Sequence, residues 1–144
     1  MSTFLEAIHD RVVIFDGGMG TCIQTSGVTE EDFGGPDLEG CNELLVVTRP
    51  DIIADVHARY LEVGCDVIET DTFGAFAIPL GEYDLADRVH ELNVAAARLA
   101  RGVANDFSTP DQPRWVAGSI GPGTRFPSLG QIRYAELRDH YEAQ

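Results

Sequence analysis

The chain has 144 residues, 44% of them hydrophobic, which is the size and apolar content of one globular domain and excludes a disordered segment. Its 24 acidic residues against 10 Lys and Arg give a formal charge of −14, a balance that repels phosphate backbones and anionic membranes and argues against either as a partner. Cys22, Cys41 and Cys65 lie far apart with no C-x-x-C pair, the start MSTFLEAIHD has no signal-peptide pattern, and no stretch reaches the ~20 apolar residues of a membrane span, so the chain reads as cytoplasmic.

Thr3 and Glu6 stand at capping-box spacing ahead of Phe4, Leu5 and Ile8, which predicts a short helix. Val12 to Asp16 then reads as a buried strand, continuous in its apolar residues as in a parallel sheet covered on both faces. It runs into Gly17-Gly18-Met19-Gly20-Thr21, where the backbone is free to approach a ligand closely. In α/β folds ligands bind at the C-terminal ends of the strands. Asp16 followed by bare backbone amides therefore offers a cation acceptor and an anion cradle, the two things an amino acid's ammonium and carboxylate need. A short helix is expected from Thr21 to Ser26, and the acidic, glycine-rich stretch from Gly27 to Gly40 reads as a long surface loop.

Thr48-Arg-Pro-Asp51 has the form of a helix start with Thr48 as N-cap, and Ile52, Val56, Tyr60 and Val63 recur at helical spacing up to Gly64. Cys65 to Phe73 is the second expected strand, with Ile68, Thr70 and Thr72 on one face and Val67, Glu69 and Asp71 on the other. Asp84 is placed to cap a long helix striped by Leu85, Val89, Leu92, Ala96, Leu99 and Val103. Trp115 to Ile120 forms a third buried strand that breaks into Gly121-Pro-Gly123, and Tyr134 to Tyr141 opens a further helix. His9, His57, His90 and His140 fall at no ligand spacing and are expected on the surface or in helix packing.

The order is a strand followed by a helix, three times over, which right-handed connections turn into a parallel sheet with strands adjacent in sequence order. Two architectures have that form: the first three βα units of a (β/α)8 TIM barrel, and a small doubly wound domain. The partial barrel is favoured, because polar or glycine-rich loops follow all three strands, whereas a dinucleotide fold concentrates its glycines after the first. An open edge and few strands point to residues 1–144 as the N-terminal part of one larger barrel domain, and such an edge invites self-association.

Four motifs in order, DGGMGT at Asp16 to Thr21, GCNELLVVTRPDII at Gly40 to Ile53, VIETDTFGA at Val67 to Ala75, and GSIGPGT with PSLGQI at Gly118 to Ile132, resemble the homocysteine-binding (homocysteine S-methyltransferase) domain of cobalamin-dependent methionine synthases. The resemblance implies a (β/α)8 barrel and a methyltransferase of methionine biosynthesis, in which zinc binds homocysteine as a thiolate for methylation by methylcobalamin. In that family the zinc is held by three cysteines on later strands, whose motif Cys22, Cys41 and Cys65 do not match. Zinc and cobalamin are therefore expected in the complete enzyme and neither on this chain, which alone should be inactive. Its implied partners are homocysteine and the remaining barrel and cobalamin-binding domains of the parent enzyme. What carries over is the amino-acid end of the pocket: Asp16, Gly17, Gly18 and Met19 from the first turn, and Thr70 and Thr72 from the second strand. Asp71 stands where the family usually has Asn, Glu43 belongs to the family's Asn-Glu pair, either reaching the pocket or tying down a loop, and Gly118 to Gly123 are expected as the neighbouring wall. A reading outside the enzyme class is a stand-alone, non-catalytic binder of an amino acid or thiol.

Overall fold

A computed structural model of the chain describes residues 3–144. Thr3 caps α1 (Phe4–Asp10) as its spacing predicts: its hydroxyl accepts the Glu6 N–H at 3.3 Å while the Glu6 carboxylate accepts the Thr3 N–H at 2.7 Å. The chain then runs extended beside β1 (Val67–Glu69). The Ile14 carbonyl accepts from the N–H groups of Asp66 and Val67 at 2.8 and 3.1 Å, and the Asp16 N–H donates to the Val67 carbonyl at 3.0 Å. On its other side β1 pairs in parallel with β2 (Trp115–Ala117), with Val67, Ile68 and Glu69 opposite Trp115, Val116 and Ala117.

Direction and neighbour order agree with the expectation, but the extent does not. Val12 to Asp16 is reduced to one parallel bridge, Phe15 to Val67, and where burial was expected Val12 is 83% and Ile14 55% exposed. The segment pairs with β1 along one edge and with no strand on the other among the described residues, so it receives half the hydrogen bonding and half the cover of an interior strand. The second and third expected strands are also shorter than expected, three residues each, although β1 is paired along both of its edges. A carboxylate clamp holds the first segment in place: Asp66 accepts both terminal nitrogens of Arg11 at 2.8 Å and the Ile14 N–H at 2.9 Å, and buried Arg114 stands 3.9 Å away. Phe4 of α1 packs edge-on against Phe15 and Trp115, so the helix covers one end of this small sheet.

The helices follow the periodicity, with shifted ends. After the glycine turn comes α2 (Met19–Thr25), starting two residues earlier than expected. The stretch from Gly27 to Gly40, expected as loop, contains α3 (Glu30–Phe33), because Thr29 and Asp32 form a second capping box and Phe33 is buried in the core. Thr48 closes α4 (Leu45–Thr48) instead of capping its successor, its hydroxyl turning back to the Leu44 carbonyl at 3.3 Å, and α5 (Pro50–Glu62) begins on proline after Arg49. The buried face of α5 is Ile52, Ile53, Val56, His57 and Leu61; Val63 falls outside it and is 82% exposed. Gly64 takes a left-handed φ of 106° just beyond the helix, as a C-terminal glycine should. After α6 (Ala77–Gly81), Asp84 adopts a φ of 56° rather than capping, and α7 (Val89–Phe107) starts five residues later. Its alanines Ala96, Ala100 and Ala104 are fully buried, small enough to let α5 pack closely against it. The main core joins these two helices to Ile23, Phe33, Leu44 and Leu45, and each fully buried aliphatic side chain contributes about 1.5–3 kcal/mol of transfer free energy. The final helix, α8 (Tyr134–Glu142), is anchored through Tyr141, which stacks on Phe76 and donates to the Gly121 carbonyl at 2.6 Å.

Candidate functional site

The C-terminal ends of the extended segment, β1 and β2 open on one cavity of about 300 Å³, walled by Asp16 to Gly20, Asn42, Glu43, the run from Glu69 to Asp71, Phe73 and Ser119. Asp16 is fixed by its neighbour strand: its Oδ1 accepts the Glu69 N–H at 3.0 Å. Burial pushes its carboxyl up to about 6, against that hydrogen bond and with the help of the adjacent Glu69 charge. Gly18 carries the turn with a left-handed φ of 59°, and at Gly17 a Cβ would meet nothing within 4 Å, so the backbone here lies open to the cavity.

Glu43 does both things its position allowed. Its Oε1 accepts the Gly74 N–H at 2.7 Å, tying the loop after β1 to the 42–44 turn, and the same carboxylate faces the cavity. A Cβ at position 74 would stand 2.6 Å from that oxygen, so any larger residue there must push the Glu43 carboxylate off this hydrogen bond. The two threonines part company. Their hydroxyls hydrogen-bond to each other at 2.7 Å, Thr72 donates to the Ser119 carbonyl at 2.8 Å, and the Ser119 N–H donates to Thr70 Oγ1 at 3.1 Å. Thr70 lines the cavity with Asp16, Gly17, Gly18 and Met19, whereas Thr72 is a buried stitch between the loops after β1 and β2 and faces a neighbouring cavity.

Sequence reasoning left Asn42, Glu69 and Phe73 out of the site. Glu69 had a signal, since strand alternation placed it with Asp71 on the face opposite the threonines. Ser119 lies in the stretch from Gly118 to Gly123 that the sequence offers as the neighbouring wall, and the pairing of β1 with β2 brings it to the cavity. Asp71 is 6% exposed, and its Oδ2 has no hydrogen-bond partner. Burial, and then the charge of Glu43, push its carboxyl up to about 7. Four carboxylates thus face this cavity, and no Lys, Arg or His among the described residues lines it. Such a wall attracts cationic groups and repels bare anions.

The cysteines do not assemble into a metal centre. Cys22 lies 3.7 Å from the Tyr60 hydroxyl, Cys65 donates to the Phe15 carbonyl at 3.6 Å, and Cys41 is buried with its thiol pushed up to about 11 by desolvation and then by Glu43. No three Cys, His, Asp or Glu side chains among the described residues converge as a metal-ligand set, so these residues do not fit a zinc ion. No helix among them is long and apolar enough to cross a membrane.

Residues 13–144 match the family model described as homocysteine S-methyltransferase. Over 137 residues the chain is 47% identical to methionine synthase from Mycobacterium tuberculosis (strain ATCC 25618 / H37Rv) and equally to that of Mycobacterium leprae (strain TN). The alignment takes in 95% of this chain but 11% of either relative, so the chain spans about one-ninth of the length of the curated proteins it matches. Among solved structures it superposes on the metallated form of the homocysteine methyltransferase MmuM from Escherichia coli with a TM-score of 0.69 and 19% identity, covering 94% of this chain and 51% of that one. The oxidised form gives 0.67 and 18%, covering 99% and 54%.

Proposed function

Because the chain belongs to the homocysteine S-methyltransferase family, we propose that its cavity is the amino-acid end of a homocysteine pocket within a methionine synthase. Asp16 accepts the α-ammonium group, the amides of Gly17 and Gly18 face the α-carboxylate, and Met19 and Thr70 complete the wall, with Thr72 holding Thr70 in place from behind. The observation that carries this reading is the convergence, at the ends of adjacent parallel strands, of a half-buried carboxylate and an open glycine turn in a cavity that no Lys, Arg or His among the described residues lines.

Residues 1–144 are on this reading the first part of a (β/α)8 barrel, with Val12 to Asp16, β1 and β2 as its first three strands. The exposed apolar side chains of Val12 and Ile14, and coverage of about half of each superposed structure, support it. The rest of the parent enzyme supplies the remaining barrel and the cobalamin-binding domains. Zinc and cobalamin chemistry belongs there, and no methyl-transfer step is assigned to Cys22, Cys41 or Cys65. Homocysteine titration calorimetry on the full-length protein tests the site. Asp16→Asn removes a charge-assisted hydrogen bond and should weaken binding by about 1.5–3 kcal/mol, tenfold or more. Equal affinity in the two proteins removes Asp16 from the pocket.

A further inference from the structure

Of the four carboxylates on the cavity wall, three are held by the protein. Asp16 accepts the Glu69 N–H, Glu43 accepts the Gly74 N–H, and Glu69 accepts the Ser119 hydroxyl. Asp71 is the exception, more than nine-tenths buried on the cavity wall with Oδ2 unpartnered. A buried oxygen that the fold leaves unsatisfied at a cavity surface is available to a ligand, and the surrounding charges say which kind. Glu43 and Cys41 approach Asp71 from the 41–44 turn, with Tyr83 and Arg88 behind that turn, and Asp16 and Glu69 share the cavity wall. Arg88, the cation of that group, is engaged by Glu91 at 2.8 and 2.6 Å. Among the described residues no donor is left for Asp71, and the charges around it select a ligand cation as its partner. An ammonium group brings three N–H donors, and Asp16 has already given one oxygen to Glu69, so a single carboxylate leaves the group under-coordinated.

We infer that Asp71 is a second ammonium-accepting carboxylate of this cavity, and that entry of a ligand's ammonium group is coupled to release of one proton from the protein. The inference rests on the amino-acid reading given above and deepens it. In the empty cavity, burial and the Glu43 charge favour the neutral carboxyl, raised to about 7. When the ammonium arrives, the carboxyl O–H gives its proton to water and the resulting carboxylate accepts an N–H from the ligand, which keeps all of its own protons. Binding then strengthens as pH rises toward the Asp71 value and levels off above it.

The test compares wild-type and Asp71→Asn forms of the full-length protein by calorimetric titration with L-homocysteine at about pH 6 and about pH 8.5. At each pH two buffers that titrate there and differ in ionisation enthalpy are used in parallel, so that buffer-dependent heat counts the protons released. Protons lost by the homocysteine thiol and by Asp16 are common to both proteins and cancel in the difference. Wild type should release close to one proton more than Asp71→Asn at the lower pH and no more at the higher, and its affinity relative to the variant should rise about tenfold between the two. Glu43→Gln, which keeps Asp71 and removes its neighbouring charge, should move the wild-type affinity rise to lower pH. Equal proton counts in wild type and Asp71→Asn at the lower pH, or a midpoint unmoved by Glu43→Gln, overturn the inference while leaving the homocysteine site standing. Failure of wild type to bind homocysteine at either pH overturns the site itself.

Discussion

Replacing Asp66 with alanine should destabilise the protein by about 3 kcal/mol, because this carboxylate fastens the extended segment that carries Asp16 to the sheet. Asp66 accepts two hydrogen bonds from Arg11 and one from the Ile14 N–H, and the side chain of Arg114 beside it is only 5% exposed. Removing one partner of a buried ion pair typically costs about 3–5 kcal/mol, mostly from the charge left behind. Arg11, with 44% of its side chain exposed, recovers hydration when released, which puts the loss at the lower end of that range. Buried Arg114 has no such recourse. For a chain of this size about 3 kcal/mol corresponds to a fall in Tm of roughly 10 °C, and urea unfolding followed by tryptophan fluorescence reads it through Trp115 in β2. The pH dependence has a definite sign. The hydrogen bonds from Arg11 hold the Asp66 carboxyl below its ordinary value of 3.8, so its contribution is present above that pH and lost as pH falls through the lower folded value. The gap between wild type and variant should therefore close only in strong acid. A loss below about 1 kcal/mol at neutral pH, or a gap that persists undiminished near pH 2, refutes the clamp.

Asp71 should act in the opposite sense: with its folded value raised from 3.8 to about 7, the ionised form opposes folding, and Asp71→Asn should stabilise the ligand-free protein by roughly 3–4 kcal/mol at pH 8 and hardly at all near pH 4, as denaturant midpoints at the two pH values will show. His57 is buried with both ring nitrogens unpartnered and is depressed by burial from 6.5 to about 4, so wild type should lose up to roughly 3 kcal/mol between those values as the unfolded chain takes up the proton. In His57→Leu that acid-induced loss should vanish from the pH profile of Tm. At Gly121 a Cβ would stand 2.4 Å from the Phe73 carbonyl oxygen, so Gly121→Ala should cost about 1–3 kcal/mol and displace the loop after β2, which exchange of the Gly121 amide bonded to Phe73 reports directly.

Features confined to a few neighbouring residues were legible before any coordinates. The Thr3 and Glu6 capping box, the stripes of α5 and α7, the left-handed Gly64 and the Asp16-Gly17-Gly18 turn each follow from spacing or from the conformational freedom of one residue type. Four ordered motifs were enough to point to the family. What sequence spacing could not settle were properties that belong to pairs of residues far apart in the chain. Val12 to Asp16 has the composition of a buried strand, yet whether it is one depends on a partner along its second edge. Thr70 and Thr72 look alike on one strand face, and only the approach of Ser119 from β2 divides them into a wall residue and a stitch. Alternation places Asp71 on the face opposite the threonines but is silent on what covers it, and its burial beside Glu43 without a donor arises because the 42–44 turn folds over the end of β1. Periodicity is written along a single segment, whereas hydrogen-bond satisfaction and desolvation are set by whatever other segment comes to rest against it.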